Sequence, residues 1–446
     1  MKKIITIIIC FICCGTVTAQ SQYNLQQLKD LALQNNIAIR NAKRDIDAAQ
    51  QQRKELHTNY YPIVNGTGLL YHANKGIIET SINPADHMSP ELIAALAQSL
   101  SPETLALLAN PIGISMMKKG IIGSITATEP VYAGRQIANG NKLAKIGEDV
   151  SQLQLQLSEN EVEKQTELYF WQLVSLQEKM NTVKAVETLL DDINKDVNVA
   201  INAGVVLRND LLQVQLRQNE VESQKLKLQN GISLVKMLLS QYCGLHDTTF
   251  VVSYNDEDIE PLSLFQDHQQ AIYGTVEYQL LDKQVEATEL QQKLATGKNM
   301  PTVAVGAGYN YYDFSEINDH FGLIFASVNV PISDWWGGSH AIKRKKIERQ
   351  KAIDEQQDMS ELLQIRMQSA LNNVNESYLQ LLIAKHSIEQ AEENLRLNRN
   401  YYNAGTSKMA DLLEAQMLYQ QSLDKYTDAY TEYRNKLIEY KQSIGL

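Results

Sequence analysis

The sequence predicts a chain of mixed α and β structure. Four β-strands, arranged as two hairpins, are set between long helices and contribute to a barrel shared by several chains. Three observations carry this. One architecture occurs twice at a constant offset: Asn202-Ala203-Gly204, then Asp210-Leu211-Leu212 and Gln215, reappear 201 residues later as Asn403-Ala404-Gly405, Asp411-Leu412-Leu413 and Gln416. The same offset relates Pro130 to Pro331 and Gly244-Leu245 to Gly445-Leu446, although Tyr169 and Tyr378 pair better at another. Four short stretches alternate apolar with small or polar residues, the period of a half-buried strand. Helical patterns of nearly seventy residues run between them, roughly 100 Å at 1.5 Å per residue and longer than globular helices.

Residues 1–19 read as a secretory signal. Lys2 and Lys3 precede an apolar run from Ile4 to Cys14, and Val17-Thr18-Ala19 supplies small residues before a cut at Gln20. A lipid anchor would need a cysteine directly after a small residue, whereas Ile12 precedes Cys13 and Cys13 precedes Cys14. The mature chain keeps only Cys243, so an internal disulfide is excluded. The formal net charge of −11 becomes −13 without Lys2 and Lys3, and no basic face suits nucleic acid. No later segment is apolar enough for a membrane helix.

The first repeat spans 20–245. Residues 24–57 read as one helix, with Leu25, Leu28, Leu31, Ile39 and Ile46 among its apolar positions. Strands follow at about 60–72 and 120–130. The insertion 73–119 between them carries Ser89-Pro90-Glu91 and Ser101-Pro102-Glu103, each an N-cap, a proline at the first helical position and an acid. Two short helices are expected there, as a lid, a receptor surface or plain loop decoration. The long helical arms then turn at Gly204 and end at Gly244, because glycine takes the left-handed conformation at little cost.

Residues 246–272 read as the linker between repeats. The second repeat, 273–446, opens with a helix over 276–296 and has strands at about 301–312 and 321–331. Its long helices turn at Gly405. Four strands cannot stand alone in lipid with unpaired edges, and known single-chain barrels have at least about eight, so several chains must contribute. Tyr60, Tyr61, Trp335 and Trp336 lie at strand ends, where aromatics suit a membrane interface; core packing is the plainer alternative.

The duplicated helix–strand–strand–helix order, the segment Val330-Pro331-Ile332-Ser333-Asp334-Trp335-Trp336-Gly337-Gly338 and the two Asn-Ala-Gly turns resemble the TolC family of outer-membrane efflux proteins. The likeness covers the mature chain except 73–119. It implies a homotrimer: a twelve-stranded barrel in the outer membrane of a Gram-negative bacterium, continued by a periplasmic α-helical barrel. It implies a passive exit duct without cofactor or metal, for an efflux or type I secretion system. The partners would be a periplasmic adaptor, an inner-membrane transporter of RND or ABC type, and outer-membrane lipid.

Carried over residue by residue, the family's acids at the periplasmic mouth fall on Asp411 and Glu414, six and nine positions after Gly405. Its tyrosine three before the turn glycine is Tyr402, and the acid that this tyrosine binds is Asp210. The arginine two after that glycine is Ser407 here, with Lys408 beside it, so the salt-bridge half of the lock departs from the pattern. The plainer reading of the acids is helix-start chemistry.

An enzyme is disfavoured. The sequence has no glycine-rich phosphate loop, no His-Glu-x-x-His pattern, no cysteine pair in the mature chain, and no two histidines three or four apart. A soluble periplasmic coiled-coil adaptor would explain the hairpins and the signal, but not four alternating strands. The run Lys343-Arg344-Lys345-Lys346, just past the last strand, fits lipid phosphates at the inner membrane edge or, more plainly, a solvated helix face.

Overall fold

The computed structural model describes residues 21–254, 267–314 and 317–446. The expected signal at 1–19 and residues 255–266 of the expected linker lie outside the described residues. In chain order the elements are β1 (Gln22–Tyr23), α1 (Leu25–Asn35), α2 (Ile37–His57), β2 (Ile63–His72) and β3 (Ile78–Ile82). Then come α3 (Pro90–Ser99), α4 (Pro102–Ala109), β4 (Ile112–Met116), β5 (Lys119–Ala133), α5 (Gln136–Asn202) and α6 (Arg208–Cys243). The second half holds β6 (Val251–Val252), a helical turn at His268–Ala271, α7 (Val276–Lys298), β7 (Thr302–Asp313), β8 (Asn318–Asn329), α8 (Asp334–Asn403) and α9 (Met409–Ser443). Two compact units result: residues 51–145 with 287–349, and the remainder.

The smaller unit holds a four-stranded antiparallel sheet in the order β2-β5-β7-β8. Its strands have 10, 15, 12 and 12 residues, enough to cross a bilayer when tilted. Register partners share a face, so the pairing sorts the side chains. One face carries the row Val64, Ala127, Ala307, Ile324; the other carries Thr67, Ser124, Asn310, Phe321. Thr67 and Ser124 hydroxyls are hydrogen-bonded at 2.6 Å on the polar face. The apolar face is bare: Leu70 is 78 % and Ile324 90 % exposed. A bulge between Pro130 and Tyr132 falls where proline has no N–H to give the ladder.

The insertion carries the two expected helices. Ser89 and Ser101 cap them, their hydroxyl oxygens accepting the Leu92 and Thr104 N–H groups at 3.3 and 3.4 Å. It also holds a hairpin that the sequence reading missed, β3 paired with β4 from Ile78↔Met116 to Ile82↔Ile112.

In the helical unit, the expected single helix over 24–57 is two, broken at Asn36. The Asn36 carboxamide oxygen accepts the Ala38 N–H at 2.8 Å and its amide donates to Tyr242 O. Asn35 donates to Cys243 O at 3.0 Å. The break therefore serves two ends at once, starting α2 and satisfying carbonyls at the end of α6. β1 pairs in parallel with β6, a short contact inside the first part of the expected linker. The core has two parts. One gathers around Leu28, Phe170, Leu239, Met367 and Tyr440; the other, nearer the helix turns, around Leu190, Val214, Met409 and Leu412. Cys243 is free and buried, its thiol pushed up to about 12 by desolvation, so it packs as a small apolar group.

Candidate site at the helix turns

The two long hairpins reverse by one backbone device. After α5, the Gly204 N–H donates to Ile201 O and the Val205 N–H to Ala200 O; after α8, Gly405 donates to Tyr402 O and Thr406 to Tyr401 O. Both glycines are left-handed, with φ of 78° and 73°. This is the Schellman closure, in which the carbonyls orphaned at a helix end are taken up by the following turn. Tyr402 thus occupies in the second turn the place of Ile201 in the first.

The two turns share a cavity of about 830 Å³, lined among others by Asp196, Asp210, Tyr402, Ser407 and Lys408. Desolvation raises the Tyr402 phenol above its ordinary pKa, and the carboxylates of Asp210 and Asp196 raise it further. The proton therefore stays on the phenol at neutral pH, which keeps Tyr402 a donor. The structure brings Tyr402 and Asp210 to one cavity; among the described residues no hydrogen bond joins them in this state.

Asp411 is the third residue of α9. Its Oδ2 accepts the Ser407 hydroxyl at 2.9 Å and the Lys408 N–H at 3.0 Å. These bonds, with Lys408 nearby, hold its carboxyl below the usual range. Ser407, which stands where the resembling family has an arginine, thus works on its own helix start. Glu414 lies one turn further. Both acids are exposed, while Met409, Leu412 and Ala415 between and beside them are buried. The carboxylates therefore share the face of α9 that the chain's own core does not use.

Further along the same helices lies a group that the sequence reading missed. Arg217 of α6 is buried and donates to Gln416 Oε1 at 3.2 Å, Gln420 Oε1 at 2.7 Å and Glu220 Oε2 at 2.9 Å. Gln420 in turn donates to Gln224 at 2.9 Å. The signal was available in the spacing: Val214, Arg217 and Val221 follow one apolar stripe, and the arginine interrupts it.

Among the described residues no group of three or more histidine, cysteine, aspartate or glutamate side chains could hold a metal ion. No described helix is long and apolar enough to cross a membrane.

Residues 279–446 match the family model described as outer membrane efflux protein. No curated protein sequence matches the chain. Among solved structures the fold is similar to that of the outer-membrane channel OprN, with 13 % identity, a TM-score of 0.76, and coverage of 94 % of this chain and 89 % of that one. It is similar to the CmeC outer membrane channel of Campylobacter jejuni, with 14 % identity, a TM-score of 0.74, and coverage of 94 % and 85 %. It is also similar to CusC, with 12 % identity, a TM-score of 0.78, and coverage of 94 % and 92 %.

Proposed function

We propose, from the match of residues 279–446 to the outer membrane efflux protein family model, that the chain is the exit duct of a tripartite efflux or type I secretion system. The carrying observation is the four-stranded sheet. It bares one apolar face and leaves β2 and β8 with unpaired outer edges. Water would penalise the face and lipid would penalise the edges. Both penalties vanish when three copies close a twelve-stranded barrel in the outer membrane, β2 of one against β8 of the next. The polar face, with Thr67, Ser124 and Asn310, then lines the lumen.

The long helical pairs would form the periplasmic tunnel. An adaptor and an inner-membrane transporter would deliver substrate to it, and the duct would conduct passively. Asp411 and Glu414 would form rings at the mouth, and Tyr402 with Asp210 would hold it shut. A soluble adaptor leaves the bare apolar sheet face without a partner, which disfavours that reading.

Topology is the test. Cysteines placed at Asp86 and Asn318 should be labelled from outside intact cells by an impermeant reagent, and one at Gln213 should not. Labelling at Gln213 alone inverts the orientation and removes the duct.

A further inference from the structure

The strand–helix junctions of the sheet unit enclose a basic pocket. Three chain segments pass from strand to helix or back within it: Ala133 to Gln136, Lys298 to Thr302, and Asn329 to Asp334. The pocket has a volume of about 740 Å³, and Lys298, Arg344 and Lys345 bring three cations to its lining against one carboxylate, Asp334. This excess is local, because the whole chain carries a net charge of −11.

The cations are not equally available. Lys345 Nζ is held by Gln291 at 2.9 Å and Glu348 at 2.6 Å. Arg344 comes no closer to Glu348 than 3.7 Å, at Nε, and its guanidinium makes no hydrogen bond among the described residues. Lys298 is exposed and has no ion-pair partner among the described residues. The wall is set by backbone at Gly338, where a side chain would run into Asn299. At the rim, Trp335 donates from its indole to Asn299 O at 2.9 Å, while Trp336 is 79 % exposed. Beside them the sheet begins with the pair Thr302↔Asn329, followed by Val303↔Val328, and Val328 is exposed on the apolar face.

An unpaired lysine and an open guanidinium beside a tethered indole and an apolar strand end match an amphiphile with an anionic head. We propose that this pocket binds the phosphate of an anionic phospholipid in the periplasmic leaflet, with its acyl chains along the start of β7 and the end of β8. The inference rests on the reading above that the sheet is membrane-embedded. The bound lipid would fix the depth of the barrel and stiffen the junction between strands and helices.

The experiment uses the full protein inserted into vesicles of phosphatidylcholine alone or mixed with phosphatidylglycerol, followed by native mass spectrometry of retained lipid. Wild type should retain phosphatidylglycerol over phosphatidylcholine. The double variant Lys298→Gln with Arg344→Gln should lose about thirtyfold of that preference, at the usual worth of each basic residue against an anionic surface. Lys343→Gln with Lys346→Gln, on the same helix but outside the pocket, should keep it. Equal retention of both lipids by wild type overturns the proposal, as does equal loss in the two double variants. Competition by inorganic phosphate alone overturns the lipid assignment in favour of a free-anion site. Failure to insert into either vesicle strikes the membrane reading itself, and is separable because preference is scored only on inserted protein.

Discussion

Arg217 Nη2 donates to Gln420 Oε1 across 2.7 Å, so a guanidinium carried by α6 is seated on α9. Its other partners are a second amide oxygen on α9 and Glu220 on its own helix. Burying a charge is costly, and the cost is offset only while the two amide oxygens and the Glu220 carboxylate stay in place. Arg217→Met keeps the stem and strands the two amide oxygens. Contact between α6 and α9 should weaken by about 1–3 kcal/mol, the usual cost of unsatisfied buried acceptors. Amide exchange around residues 416–420 should accelerate, and Arg217→Lys should restore only part of the protection, because lysine cannot span both glutamines. Unchanged exchange in Arg217→Met would show that the group is ornamental.

Gly134 and Gly297 meet backbone to backbone, and a methyl group on either would run into the carbonyl oxygen of the other. Gly134 is also left-handed, with φ of 58°. Gly297 lies within α7, so helix propensity alone favours alanine there. The clash should win. Gly297→Ala is expected to lower the temperature at which the protein unfolds in detergent, whereas Gly140→Ala, with open space around it, should leave that temperature unchanged or raise it slightly.

Residues 74–117 should be dispensable for assembly. The β2–β5 ladder is complete up to His72↔Lys119, and β3 with β4 forms a separate two-stranded sheet beyond it. Replacement of 74–117 by a short Asn-Gly turn removes only local bonds, chiefly Tyr71 Oη to Met117 O at 3.2 Å. Heat-modifiable oligomers should persist on unheated gels. Their loss, with no membrane-inserted chain, would make the insertion part of the folding core.

Much of the fold was legible because a few residue types have few physical alternatives. Gly204 and Gly405 read as turns because the left-handed backbone all but demands glycine, and the strands read from alternation that only a sheet can use. Ser89 and Ser101 read as caps for the same kind of reason. The break at Asn36 was hidden because the apolar period runs through it, and only the nearby end of α6 gives the asparagine its second task. The β3–β4 hairpin was hidden by its brevity, with five residues per strand. At the site, Asp411 and Glu414 could be placed on one face, but Ser407 as the partner of Asp411 required the turn's geometry. Arg217 was passed over because arginine is ordinarily a surface residue.

The last prediction separates the two tasks that Asp411 can perform. Its carboxylate ties Ser407 and the Lys408 N–H, which is helix-start chemistry within one chain. Because its folded pKa is depressed, this contribution is present in full above the unfolded carboxylate pKa. It is lost as pH falls through the folded value, so fraying of the α9 start belongs to the acid range. Glu414, one turn on, is exposed on the same face. If threefold symmetry brings the six acids to the axis, they concentrate cations there, and trivalent ions should block conduction from the periplasmic side. Asp411→Asn keeps a carboxamide oxygen for the cap while removing the charge. Paired with Glu414→Gln, it should reduce cation selectivity and block in planar-bilayer recordings and leave the α9 start ordered. Tyr402→Phe removes the phenol that faces Asp210 and Asp196. It should raise open probability with selectivity nearly unchanged, because a Tyr402–Asp210 bond made on closure, worth about 1.5–3 kcal/mol to a charged acceptor, could then no longer form. Selectivity and block equal to wild type in the Asn/Gln pair would leave the acids as helix starters and place the constriction elsewhere.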